Sequence, residues 1–457
     1  QGIYYDGNGN PIGMNSIQGE TQDSTAANFF IKAGMNFGEQ RLEFSTNHYE
    51  LESNNNYVPI KGNFNDGIVG TVEKGTPTGE PVSNQVAAYN INYSHDDLAG
   101  GGLTVQFFYQ EFDAIYGEAN WLPTPNIIRD QGVITSTKKG MKLAYYQIDL
   151  LDLDDSWVFG IDVLNDSTQQ LLVGTGLGVT PEMSYLGISP FVQGDILIND
   201  DLRLTGGLRY ETTTVDVKDD QTLYSYGLFD EESNPHGQVD IIGGEQDFNQ
   251  LVYNLGAVYS LTDELNMFAG FNQGFGLPDI GRVLRGNWIG DKGQSVDSDI
   301  NIDFNTMPAV EPVVTDNYEM GVNYTDDQWR VTASTYYSLA KDGANLSLNS
   351  GGTYDVVRQR TEITGAEFTA KYQLNAQLSL QALYSTIKGE VDSDSDSDGS
   401  EDSDMDLKNI SPDRLMFATN FDATDNLFTC IQVNRLCIQK TTVKNSSLTV
   451  ISSLMLL

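Results

Sequence analysis

The clearest pattern in the chain is a regular alternation of apolar and polar residues in its middle part. The alternation covers Leu186–Ile198 and Leu202–Glu211, which are separated by a turn of two or three residues. It returns in Phe248–Ser260 and Glu264–Asn272, which meet at another short turn. A period of two places alternate side chains on opposite faces of a strand. The pattern therefore predicts two β-hairpins, each with one apolar face.

Short turns and long polar segments alternate along the whole chain. The long segments are residues 53–85, 114–139, 166–185, 218–247, 275–314 and 391–410. Transmembrane β-barrels have short periplasmic turns and long extracellular loops, so the order predicts an all-β, antiparallel transmembrane barrel with about 16 strands. Tyr and Phe recur near the predicted strand ends, as in the aromatic girdles of such barrels. A soluble all-β protein is the alternative, but its connections do not alternate in this way.

Composition narrows the class further. The formal net charge is −39, from 64 acidic and 25 basic residues, which excludes a nucleic-acid partner because such proteins carry basic patches. The charge has two interpretations, a general acidic bias or acidic loops that hold divalent cations. No apolar run approaches the roughly 18 residues of a membrane-spanning helix. Motifs of the common hydrolases, P-loop proteins and zinc proteases are absent, so we expect no enzyme.

Three segments follow each other in an order that is typical of one family. They are ISPFVQGDILINDDLRLTGGLRYE at Ile188–Glu211, LNMFAGFNQGFGLPD at Leu265–Asp279 and VEPVVTDNYEMGVNY at Val310–Tyr324. Supporting elements are Gly365–Glu367 and ISPDRL at Ile410–Leu415. Together they resemble TonB-dependent outer-membrane receptors of the siderophore and iron-complex class. The resemblance covers roughly residues 186–425 and identifies the chain as a barrel fragment that lacks the plug.

The resemblance implies a particular division of the chain. The family's barrel has 22 strands around an N-terminal plug. Residues 1–425 would then form about strands 4–19 of that barrel, with the plug and the TonB-contacting box outside this sequence. Residues 426–457 are expected to hold a last partial strand and an atypical tail, because no Asp or Glu follows Asp425. A shift of reading frame near Leu427–Cys430 would explain the tail, and a natural strand of unusual composition is the alternative.

The resemblance also implies a function. It predicts an outer-membrane receptor of a Gram-negative bacterium that actively imports a ferric siderophore, energised through TonB, ExbB and ExbD. Lipid and lipopolysaccharide would surround it, and no covalent cofactor is expected. The segment PDIGRVLR loosely resembles receptors for hydroxamate and carboxylate siderophores. The alternatives are the same receptor class for cobalamin, haem or an oligosaccharide, and a passive porin or adhesin barrel.

The longest loop carries the strongest candidate ligand residues. Arg282, Arg285 and Trp288 lie within seven residues. Arginine offers charge and forked hydrogen bonds to an anionic ferric siderophore, and an aromatic ring offers stacking. The alternative is that these arginines pair with nearby acids or with lipopolysaccharide phosphates. Two other loops add weaker candidates, which are Tyr116, Trp121, Arg129, Tyr224, Tyr226 and His236.

An acidic run at Asp392–Asp406 is the one candidate metal site. Asp394, Asp396 and Asp398 follow the start of a calcium loop, but Met405 stands where the bidentate glutamate is required. We therefore expect loose Ca²⁺ binding at most, and a solvated, mutually repelling charge run is the alternative. His48, His95 and His236 are too scattered to predict a metal site.

Overall fold

The structure is a computed structural model that describes residues 23–60, 71–120, 129–151, 153–229, 235–277, 279–284, 301–307, 312–348, 354–392, 403–405, 410–424, 427–437 and 452–456. In chain order its elements are β1 (Ser24–Phe37), β2 (Gln40–Ser53), β3 (Tyr57–Ile60), β4 (Thr71–Lys74), β5 (Ser83–Leu98), β6 (Gly101–Asn120), β7 (Arg129–Ile148), β8 (Asp155–Leu172), β9 (Gly178–Asn199), β10 (Leu202–Val217), β11 (Asp220–Phe229), β12 (Pro235–Ile242), β13 (Gly244–Ser260), β14 (Leu265–Gly276), α1 (Ile280–Val283), β15 (Asn301–Asp303), β16 (Val313–Thr325), β17 (Trp329–Leu348), β18 (Tyr354–Gln373), β19 (Leu378–Val391), β20 (Ser403–Asp404), β21 (Asp413–Thr424), β22 (Leu427–Cys437) and β23 (Ser452–Leu456).

The strands of eleven residues or more form one continuous antiparallel wall. Each pairs with the next long strand in the chain, from β1 with β2 to β21 with β22. The connections at one end of the wall have two to six residues, and all the long connections lie at the other end. This order confirms the predicted all-β architecture. Helix α1 has four residues, and no helix in the described ranges is long and apolar enough to cross a membrane.

Aromatic rings mark both edges of the apolar face of the wall. About halfway along the strands, six to nine residues from their short-turn ends, the rings form two arcs, one of Tyr253, Phe271, Tyr318 and Tyr337 and the other of His48, Tyr89 and Tyr109. Neighbouring ring centroids within the arcs are between 4.9 and 6.3 Å apart. Near the short-turn end of the same face, Trp329 stacks on Tyr372 at 4.4 Å. Aromatic girdles of this kind flank the lipid-facing band of a transmembrane barrel, so this face is the outer one.

The opposite, inner face contains rings that lie over glycines of the neighbouring strand. A methyl group at Gly321 of β16 would come within 2.5 Å of Cζ of Phe268 in β14. The same arrangement joins Tyr336 of β17 to Gly365 of β18. Because these glycines have no side chain, the rings can lie flat on the strands instead of projecting into the lumen.

Several predicted loop boundaries were wrong, because the strands continue beyond the predicted ends. The loop predicted at 114–139 is reduced to 121–128, and the one at 166–185 is reduced to 173–177. The loops predicted at 53–85, 218–247 and 275–314 contain the short elements β3 and β4, β11 and β12, and α1 and β15. Beyond the bilayer a strand has no lipid-facing side, so the alternation that marks strands in the sequence is lost there.

Candidate ligand site at the outer mouth

The inner wall carries a connected set of polar side chains below the outer mouth. Arg209 donates to Asp162 at 2.7 Å and to Glu211 at 2.5 Å. The hydroxyl of Ser189 also donates to Glu211, and the guanidinium of Arg209 lies 5.6 Å from the ring centre of Phe191. These charges therefore have partners within the wall, which leaves a polar inner surface that suits a water-filled lumen.

Above this polar surface lies a compact apolar core. Its buried members are Val215, Val217, Ile241, Phe248, Ile280, Leu284, Ile302 and Phe304. Leu284 and Phe304 are both 0% exposed. Val215 and Val217 alternate in step with Arg209 and therefore lie on the inner face of β10. Residues 279–284 and 301–307 thus fold inward, into the mouth of the barrel.

Backbone pairing joins two extracellular loops around this core. β12 and β15 pair in parallel, with Ile241 opposite Ile302. The amide of Phe304 donates to the carbonyl of Ile242 at 2.9 Å, and the side-chain amide of Gln246 donates to the carbonyl of Phe304 at 2.8 Å. We call β11, β12, α1, β15 and the core described above the outer unit.

Helix α1 is seated against the inner wall. A methyl group at Gly281 would lie 3.0 Å from Cε of Met183 and 3.3 Å from Cγ2 of Thr180, both in β9. The contact places the backbone of Arg282, the next residue of α1, at the mouth. Of the predicted cluster, Arg282 lies in α1, whereas Arg285 and Trp288 lie outside the described residues.

The other predicted ligand residues are distributed over two places. Tyr116 was predicted in a loop, but it lies in β6, and its carbonyl accepts a hydrogen bond from Gln131 at 2.9 Å. Arg129 begins β7 and pairs with Glu118 at 2.5 Å. Tyr224 and Tyr226 lie in β11 and His236 lies in β12, both within the outer unit. Trp121 lies outside the described residues.

A polar clamp at the start of β7 was missed in the sequence. The carboxylate of Asp130 accepts hydrogen bonds from the amides of Gly174 and Thr175, at 2.8 and 2.9 Å. The side chain of Gln131 contacts the backbone of Glu80 through both its oxygen and its nitrogen. Two adjacent residues thereby hold the loops on either side of the β6–β7 hairpin. A single acid among 64 carries no sequence signal for such a role.

The described residues contain no group of three or more His, Cys, Asp or Glu side chains that could hold a metal ion. Asp394, Asp396 and Asp398 lie outside those residues, and loose Ca²⁺ binding there stays a prediction.

Comparisons with known proteins agree with this architecture. The family described as "TonB dependent receptor-like, beta-barrel" matches residues 29–443. The Rhizobactin receptor of Rhizobium meliloti (strain 1021) is 24% identical over 426 residues, which are 85% of this chain and 55% of that protein. The Ferric aerobactin receptor of Klebsiella pneumoniae is 23% identical over 400 residues, 81% of this chain and 53% of that protein. The chain thus spans about half the length of these relatives.

Solved structures share the fold at low sequence identity. The Copper transporter OprC aligns with a TM-score of 0.66 and 16% identity, over 95% of this chain and 60% of that one. The unliganded ferric citrate transporter FecA aligns with a TM-score of 0.63 and 14% identity, over 91% of this chain and 57% of that one.

The wall, its girdles and the family match indicate a β-barrel of the outer membrane of a Gram-negative bacterium. The chain belongs to the TonB-dependent receptor β-barrel family. This confirms the family and the location that the sequence motifs predicted.

Proposed function

We propose that the chain is part of a receptor that binds a ferric siderophore at the cell surface and imports it actively. The observation that carries the proposal is the match, over more than four fifths of the chain, to receptors named for rhizobactin and ferric aerobactin. The inward fold of the outer unit supports it, because a ligand that arrives from outside reaches α1 before the lumen.

The chemistry of the longest loop suits an anionic ferric complex. Arg282 and Arg285 are proposed to bind ligand oxygens, with Trp288 stacking on the ligand. The secondary contacts are proposed to come from Tyr116, Trp121, Arg129, Tyr224, Tyr226 and His236. Uphill import needs energy from the inner membrane, so TonB, ExbB and ExbD are the proposed partners, with lipid and lipopolysaccharide around the outer face.

The test measures uptake of radiolabelled iron from ferric aerobactin in iron-limited cells that depend on the full-length receptor. The double variant Arg282→Gln/Arg285→Gln should raise the ferric aerobactin concentration needed for half-maximal uptake at least about tenfold, which corresponds to ~1.4 kcal/mol of binding free energy. The matched control is Arg330→Gln, because Arg330 is exposed and is the second residue of β17, at the short-turn end.

If deletion of the receptor leaves iron uptake unchanged with every siderophore tried, the proposal is contradicted. Uptake of cobalamin, haem or an oligosaccharide in its place would assign the same receptor class to another nutrient. Diffusion of small solutes that continues without TonB would indicate a passive porin.

A further inference from the structure

The two loops with most of the predicted ligand residues are parts of one folded body. We propose that the outer unit forms and unfolds as a single cooperative element, and that Leu284 and Phe304 position the backbone of α1, which carries Arg282. The positioning role rests on the proposed function, whereas the coupling of the two loops can be measured without any ligand.

The first support is the backbone pairing between the loops. Asp240, Ile241 and Ile242 face Asn301, Ile302 and Asp303 in a parallel register. The side-chain amide of Asn305 also donates to the carbonyl of Gly243 at 2.6 Å. Separating the loops would break these hydrogen bonds together, so movement of one loop away from the mouth is coupled to movement of the other.

The second support is the way α1 depends on the core. A helix of four residues is far too short to be stable by itself, since helix nucleation is unfavourable. Ile280, Val283 and Leu284 are 8%, 2% and 0% exposed, so burial in the core supplies the missing stability. The backbone position of Arg282 is therefore set by side chains that are themselves buried away from the ligand path.

The third support is the attachment of the unit to the wall. Phe248 of β13 and Val215 of β10 belong to both the wall and the core. Gly281 brings α1 into contact with Met183 of β9. The outer unit is thus fixed to three neighbouring strands, and the backbone of α1 is held in place before a ligand arrives. Such preorganisation lowers the entropy cost of binding.

The coupling is tested by amide hydrogen exchange of the full-length receptor in detergent. Leu284→Ala should accelerate exchange at least about tenfold in both 238–242 and 301–304, and by similar factors, because local opening exposes a cooperative unit as a whole. Leu251→Ala is the matched control, since that leucine is 50% exposed on the lipid face of β13. Faster exchange in 301–304 alone would overturn the coupling.

The positioning role is tested with ferric aerobactin as the probe. Leu284→Ala keeps every candidate contact residue, yet it should raise Kd at least about tenfold, the loss expected for ~1.4 kcal/mol. A disulfide between Asp240→Cys and Asn301→Cys, in a Cys430→Ser/Cys437→Ser background, should restore Kd when oxidised and leave it weak when reduced. Phe304→Leu provides a milder second variant, with unchanged heat-modifiable gel migration as the check on barrel folding.

Two outcomes separate this inference from the proposed function. If the unaltered receptor binds ferric aerobactin and Leu284→Ala binds it equally well, Leu284 has no positioning role and the inference fails. If no siderophore binds the unaltered receptor while exchange remains coupled, the proposed function fails and the single outer unit stands.

Discussion

The wall between the aromatic girdles and the outer unit use the same kinds of residue in opposite ways. Leu255 of β13 and Met320 of β16 are each 61% exposed on the protein surface, where the bilayer covers them. Leu284 and Phe304 of the outer unit are 0% exposed and covered by protein. The wall is held by its backbone hydrogen bonds and its lipid environment, whereas the outer unit has an apolar core like that of a small soluble domain.

This difference separates two properties of the receptor. Insertion in the membrane depends on the outer face of the wall, and the shape of the outer unit, where we propose that the ligand binds, depends on its own core. A substitution in one region should therefore leave the other region intact, which can be tested directly.

The largest effect is expected from the same substitution made in both regions. Leu284→Arg places an unpaired charge in the core, at a cost of about 3–5 kcal/mol. It should expose the loops at 218–243 and 277–307 to protease while the barrel keeps its heat-modifiable migration. Leu255→Arg should cost about 2–4 kcal/mol in the lipid band and reduce the folded fraction of the whole barrel.

The two readouts come from one sample of outer membranes, digested and then run on a gel with and without heating. Protease resistance in Leu284→Arg equal to that of the unaltered receptor would mean that the core does not hold the outer unit. Loss of the heat-modifiable band in both variants would mean that the two regions fold together.

A smaller effect is expected from a substitution that disturbs the packing of an aromatic ring over a glycine on the inner face of the wall. Gly321→Ala would bring a methyl group within 2.5 Å of both Phe268 and the carbonyl oxygen of Ala333. Overpacking of this kind destabilises a fold by about 1–3 kcal/mol. The urea midpoint of barrel unfolding should therefore fall. Gly276→Ala in β14 is the control, because no atom lies within 4 Å of its added methyl group. Equal midpoints for the two variants would contradict ring packing over Gly321.

The smallest effect concerns a turn at the end of the wall remote from the outer unit. The hydroxyl of Tyr324, followed by the amides of Trp329 and Gln328, donates to Asp326 and holds the pKa of that carboxyl below its ordinary value. A depressed pKa stabilises the fold above the unfolded-state value of about 3.9, and this stability is lost as pH falls through the folded value. Urea midpoints should therefore decline less steeply in acid for Asp326→Asn.

The matched control in that turn is Asp327→Asn, which leaves Asp326 and its donors in place. Its midpoints should follow those of the unaltered receptor from neutral to acid pH. An acid-side slope in Asp326→Asn as steep as in the unaltered protein would show that these hydrogen bonds do not stabilise the turn.

Sequence reasoning succeeded where a physical constraint acts on every residue. Lipid on one side and water on the other impose a period of two, so the hairpin joining Leu186–Ile198 to Leu202–Glu211 was predicted with its correct faces. The outer unit is under no such constraint. Val283 and Leu284 stand between two arginines without a repeating pattern, so no period in the sequence marks them as buried. Pairs that are distant in the sequence, such as Ile241 with Ile302, produce no local sequence pattern from which they could be predicted.

The register of β10 with β13 runs unbroken from Leu202 opposite Tyr259 to Val217 opposite Gly244. Strands paired in this regular register end at the same height above the membrane in any barrel that shares the pairing. Residues 218–243 and 277–312 could accordingly be transplanted as a pair onto the corresponding strands of a different barrel. Exchange of one loop without the other would split a core in half, so new specificities in such receptors should arise by joint replacement of both.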